Sequence, residues 1–113
     1  MSCTVLRKTL LVLFIAFPLW SWAADPLWID VRTAEEYAQG HVSEAINIPY
    51  GEITHRVAEV TTDRDALIYV YCGSGRRAGI AKDALNGAGY RNVVNVGGLE
   101  QAMQKAAAAP AEQ

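Results

Sequence analysis

The feature that most constrains this chain is the run Leu67-Ile68-Tyr69-Val70-Tyr71, which ends at Cys72 and leads straight into Gly73-Ser74-Gly75-Arg76-Arg77. Its near-continuous apolar character fits a central parallel strand covered on both faces. Three small residues and two arginines follow, and a helical pattern then runs from Ala78 to Leu85. Such a strand–loop–helix turn gathers backbone amides, the positive end of a helix and guanidinium charge around one sulfur. Those groups all favour the thiolate. Cys72 therefore reads as a nucleophile and not as a core thiol.

The remaining pattern supplies a frame for that loop. Leu27-Trp28-Ile29 reads as a first strand ending at Asp30. Thr33 can cap a short helix through Gln39, with Glu36 completing a capping box and Gly40 closing it. Ala45 to Ile48 is a second strand stopped by Pro49, and Ile53, Val57 and Val60 are spaced for one face of a helix. Val93 and Val94, extended by Asn95 and Val96, make a further strand, and Gly97-Gly98 turns the chain into a last helix over Leu99 to Ala107. This alternation predicts a single α/β domain: a mostly parallel central sheet of four to five strands with helices on both faces. Ligands of such sheets sit at the C-terminal strand ends, where Asp30 and Cys72 fall.

The 113 residues do not all belong to that domain. Arg7 and Lys8 precede an apolar stretch from Leu10 to Trp20, and Ser21-Trp22-Ala23 offers small residues for cleavage, so residues 1–23 read as a secretory signal peptide. The uncharged run is shorter than the roughly 18 to 20 residues a membrane span needs, so no stable membrane association is expected after cleavage. The domain is expected over 24–107, with a flexible alanine-rich tail at 108–113. Losing Arg7 and Lys8 with the leader takes the formal charge from −2 to −4. No basic stripe survives, which argues against nucleic acid as a partner. Cys3 leaves with the leader, so the exported domain keeps one thiol and cannot form an internal disulfide.

Five motifs in order resemble the rhodanese-type sulfurtransferases. They are Asp30-Val31-Arg32, Glu35-Glu36-Tyr37, the stretch Gly40-His41-Val42 through Pro49, Cys72-x-x-Gly75-x-Arg77 with Ala78 after it, and Gly97-Gly98-Leu99. The resemblance spans about Trp28 to Met103, and with the leader it is nearest the small periplasmic single-domain members of the phage-shock type. It implies a ping-pong thiosulfate sulfurtransferase. Cys72 would take a sulfane sulfur from a donor such as thiosulfate, hold it as a persulfide, and pass it to cyanide or a thiol. It implies a periplasmic or otherwise exported protein, expected to be a monomer, with no cofactor and no metal.

Roles follow for the neighbours. Gly73, Ser74 and Gly75 would form the loop whose amides hold the anionic sulfur, with glycine tolerating the positive φ of a tight ring. Arg77 would bind substrate or brace the loop, because a cation at a helix N-terminus calls for an anion beside it. Arg76 would give a cationic entrance for thiosulfate. Asp30 and Arg32 are expected to bind each other as structural support. His41 is expected to be structural and His55 exposed. No metal-ligand cluster stands out.

Three rival classes are weaker. Oxyanion-cleaving relatives place five residues between nucleophile and arginine, whereas four separate Cys72 from Arg77 and no adjoining aspartate could serve as general acid. Thiol–disulfide exchange usually needs a neighbouring resolving cysteine, and Cys-x-x-Cys is absent. Noncatalytic binding modules of the family commonly lack the loop cysteine. A persulfide carrier that docks with another exported protein stays open beside the small-molecule enzyme.

Overall fold

The computed structural model describes residues 25–108. The leader expected at 1–23 and the end of the tail, 109–113, lie outside the described residues. Four strands form one parallel sheet: β1 (Leu27–Asp30), β2 (Ile46–Asn47), β3 (Leu67–Cys72) and β4 (Asn92–Gly98), in the order β2-β1-β3-β4. The helices are α1 (Ala34–Ala38), α2 (Ile53–Arg56), α3 (Arg76–Gly87) and α4 (Leu99–Ala108). The expected α/β architecture is the observed one, with four strands.

Side-chain alternation divides the core between the two faces of the sheet. Ile29 from β1 and Ile68, Val70 and Cys72 from β3 pack with Ile53, Val57, Ala78, Ala81 and Leu85 on one face. Trp28 and Tyr71 point the other way and pack with Val42, Ala45 and Ala102, backed by Tyr69 and Leu99. Burial of both faces explains why β3 reads as an unbroken apolar run. Its central position places Cys72 at the C-terminal edge of the sheet with the head of α3 directly above.

Four local expectations are corrected. The helix drawn over Ile53 to Val60 is three short pieces: 3-10 turns at Tyr50–Glu52 and Val57–Glu59 flank the single turn of α2. Its apolar spacing does mark the buried face, since Ile53 and Val57 are covered, but no cap fixes a longer helix. The second strand shrinks to Ile46–Asn47. Helix α3 begins at Arg76, two residues before the expected start, because Gly75 takes the N-cap position at φ +101°. Gly97 and Gly98 remain inside β4 and pair with Tyr71 and Cys72, after a bulge that shifts the register between Val70 and Tyr71. The expected last helix, α4, follows directly.

Candidate active site

Cys72 is the last residue of β3, buried, and free of any disulfide. Its sulfur accepts hydrogen bonds from the amides of Gly75 at 3.0 Å and Ala78 at 3.4 Å. The left-handed turn at Gly75 is what curls these donors inward. Burial pushes the Cys72 thiol up, but the amides of Ala78, Ser74, Gly75 and Arg77 together pull harder in the other direction, so the net shift is downward. A sulfur ringed by amides at the head of a 12-residue helix is a place for an anion.

The loop is braced by Arg77 on one side and backed by β4 on the other. Arg77 reaches back across the chain to Glu36, with its two terminal nitrogens donating to the two carboxylate oxygens at 2.8 and 3.0 Å. This bidentate pair holds the Glu36 carboxyl down to about 2, assisted by the Thr33 amide and opposed by burial. Glu36 is the third residue of α1 and the acidic member of its capping box, so one carboxylate both closes the helix and holds Arg77. The anion that a cation at the α3 N-terminus calls for is thus within the protein. A Cβ on Gly73 would meet the Arg77 guanidinium at 3.3 Å, which sets that side chain across the loop. Behind the loop, a Cβ on Gly98 would collide with the Gly73 carbonyl, and Gly97 adopts φ +108°. Gly98 has no room for a side chain because the loop backbone lies against it, and Gly97 is suited to glycine by its left-handed conformation.

Asp30, the last residue of the neighbouring strand β1, pairs with Arg32 in the turn that follows it. The Asp30 carboxylate is fully buried and accepts from the Arg32 backbone amide at 2.9 Å, from Nε at 3.0 and 3.1 Å, and from a terminal nitrogen at 2.7 Å. That terminal nitrogen also donates to the Gly40 carbonyl at 2.7 Å. The Asn47 side chain donates to the carbonyls of Asp30 and Arg32, closing the far side of the turn. Neither residue hydrogen-bonds the Cys72 sulfur. Arg76 and Ser74 are exposed on the rim, and Arg76 forms no salt bridge among the described residues. His41 donates through Nδ1 to the Tyr37 carbonyl at 2.7 Å and stacks on the Tyr37 ring, while His55 is exposed.

Two residues at the site escaped the sequence reading. For Glu36 the sequence announces the cap and the acidic-acidic-aromatic motif, but nothing in it announces a partner 41 positions away. Asn95, whose Nδ2 donates to the Gly75 carbonyl, reads in sequence as strand alone; its signal is a polar side chain on the face that Val93 gives to the core.

Residues 19–105 match the rhodanese-like domain family. The chain is 46% identical over 94 residues to the thiosulfate sulfurtransferase PspE of Escherichia coli strain K12, covering 83% of this chain and 89% of that protein. It is 40% identical over 74 residues to a sulfurtransferase of Allochromatium vinosum, covering 66% and 67%. The solved structure of a rhodanese with anions from E. coli superposes with a TM-score of 0.66 at 45% identity, covering 68% of this chain and 91% of that one. A parallel four-stranded sheet with an amide-ringed cysteine at its C-terminal edge defines the class, and the chain belongs to the rhodanese-like domain family. Its activity is that of a sulfurtransferase, moving sulfur between small-molecule donors and acceptors.

Proposed function

We propose that the protein is a thiosulfate:cyanide-type sulfurtransferase that works through a persulfide on Cys72. The observation that carries this reading is the pair of amides at 3.0 and 3.4 Å from the Cys72 sulfur. In the first half-reaction the thiolate attacks the sulfane sulfur of thiosulfate. A Cys72 S–S bond forms, the S–S bond of thiosulfate breaks, and sulfite leaves with the electron pair. In the second, cyanide or a thiolate attacks the outer sulfur and Cys72 leaves as thiolate. The amides of the 73–78 segment stabilise the negative charge that returns to the sulfur at each turnover. No general base is required when the thiol is already ionised.

In this reading Gly73, Ser74 and Gly75 shape the anion nest and Arg77 braces it through Glu36. Arg76, exposed on the rim, attracts the thiosulfate dianion. Asp30 and Arg32 support the floor. We also place the enzyme outside the cytoplasm, exported by a leader cleaved after Ala23, with the catalytic domain over 24–107. Similarity to PspE supports the choice of thiosulfate as donor.

Intact-mass measurement tests the mechanism. Thiosulfate should add about 32 Da, one persulfide sulfur, and cyanide should remove it. Cys72→Ser should stay folded, take up no sulfur and lose at least about a hundredfold in turnover, because a hydroxyl does not ionise here. Turnover by Cys72→Ser near the wild-type rate overturns the assignment.

A further inference from the structure

We infer that Asn95 is a positioning residue: it anchors the peptide that joins Gly75 to Arg76 and, through the Gly75 backbone, keeps the Gly75 amide on the Cys72 sulfur. The Asn95 side-chain amide bridges the loop and its own strand. Nδ2 donates to the Gly75 carbonyl at 2.9 Å, and Oδ1 accepts from the Gly97 amide at 2.9 Å. Turning the amide over would set oxygen against the Gly75 carbonyl and the amino group against the Gly97 N–H, so its partners fix which way it faces. Among the described residues, it is the one side chain other than Cys72 that hydrogen-bonds the backbone of Gly73 to Gly75.

This bond matters because of what surrounds it. Gly75 sits at φ +101°, and a glycine can leave that conformation with little steric penalty. Its carbonyl accepts from two donors, Gly79 N in the first turn of α3 and Asn95 Nδ2. Two bonds on one carbonyl fix the plane of the peptide that opens α3, and the Gly75 dihedrals then set where its own amide points, toward the sulfur at 3.0 Å. The three elements touch here: a Cβ on Gly79 would be in van der Waals contact with Asn95 Nδ2 at 3.5 Å, and one on Gly75 with the Gly97 Cα at 3.4 Å. The bulge in β4 lies immediately beyond Asn95, where pairing moves from Val70–Asn95 to Tyr71–Gly97. The kink therefore brings an amide side chain and two glycines under the loop together.

The inference rests on the reading of Cys72 as the reacting group, but its test does not require sulfur transfer. In the full chain, the pH dependence of alkylation by iodoacetamide is followed at the Cys72 peptide by mass spectrometry. The charged groups around the sulfur are Arg76 and Arg77 on α3 and Glu36 on α1, with the Asp30–Arg32 pair on β1 and its following turn, and the Asn95 variants leave all of them in place. Asn95→Ala should move the alkylation midpoint to higher pH and slow the reaction about three- to tenfold below it, as expected for one weakened amide donor to a thiolate. Asn95→Asp keeps an acceptor for Gly97 but turns a carboxylate to the Gly75 carbonyl, and should shift the midpoint further. Val94→Ala, an exposed neighbour on the same strand, should leave the midpoint unchanged whatever it does to the melting temperature. A wild-type midpoint in Asn95→Ala, or an equal shift in Val94→Ala, overturns the inference. Failure of the wild-type protein to gain sulfur from thiosulfate would instead overturn the Cys72 mechanism and leave this readout standing.

Discussion

Two arginine–carboxylate pairs stand at the same edge of the sheet, and their surroundings give them different work. Asp30 and Arg32 are two residues apart, with the carboxylate fully buried and the arginine side chain 7% exposed. Glu36 and Arg77 are 41 residues apart and keep 38% and 25% of their side chains in solvent. The first pair is enclosed on every side by the turn after β1, the Gly40 carbonyl and the Asn47 side chain. A buried pair adds little net stability over an apolar substitute, but removing one member strands the other charge without water. The second pair can fall back on solvent if it is broken. Burial, and not bond length, separates a post that the fold cannot lose from a brace that the loop can adjust.

The largest effect on stability should therefore come from the first pair. Asp30→Ala leaves Arg32 buried against the Gly40 carbonyl with no counter-charge, and should destabilise the domain by about 3–5 kcal/mol. Chemical denaturation reads this directly. Sulfur transfer per folded molecule should stay close to wild type, since neither residue hydrogen-bonds the sulfur. A normal unfolding curve with a strongly raised thiosulfate KM would break the comparison, because it would make Asp30 a substrate group.

Breaking the second pair should show mainly in pH dependence. The Glu36 carboxyl falls from an ordinary 4.5 to about 2 in the folded protein, first through its bond to Arg77. A depressed carboxylate contributes stability that is fully present above its unfolded value and is lost as pH falls through the folded one. Wild type should accordingly hold a melting-temperature advantage over Glu36→Gln at pH 6 that narrows between about pH 5 and pH 2. Solvent screening keeps the difference small. The same substitution frees Arg77 and should lower the rate of Cys72 alkylation at neutral pH modestly if the brace holds the loop in place. A constant gap between the two proteins from pH 6 to pH 2 would remove Glu36 as the titrating partner.

The contrast also marks what could be read from sequence. The Asp30–Arg32 pair is local, and a carboxylate at a strand end with arginine two residues later is visible as a motif. The Cys72 loop is equally local, because strand, small residues and helix follow without a break. Glu36–Arg77 and Asn95–Gly75 depend on the order β2-β1-β3-β4, which brings α1 and β4 to opposite sides of one loop. Pattern alone gives the sheet but not which side chains meet across it. Element ends failed for related reasons. Gly75 could cap α3 only through a left-handed turn, and Gly97-Gly98 reads as a turn although it pairs with Tyr71 and Cys72, because the close approach of the Gly73 carbonyl that excludes a side chain at Gly98 is not visible in sequence. The short turns around α2 follow apolar spacing without caps, so periodicity overstated their length.

The smallest effect belongs to the cation that is in neither pair. Arg76 is exposed beside Arg77, and Glu36 already neutralises Arg77, so Arg76 is the less compensated charge at the rim. Thiosulfate is a dianion approaching a thiolate, and an exposed cation lowers that repulsion through a screened field. Arg76→Ala should raise the thiosulfate KM about two- to fivefold at low salt, on the scale of 1 kcal/mol or less for an exposed charge. Its kcat should change little, because the charge lies outside the ring of amides on the sulfur. Added salt should raise the wild-type KM and raise the variant's less, so the two converge. Discharge of the preformed persulfide by a neutral thiol should be nearly equal in both proteins. If Arg76→Ala instead shows the wild-type KM with the same salt dependence, the attraction for the donor comes from the amides and the α3 N-terminus. The Glu36–Arg77 brace would then be the only arginine contribution to the loop.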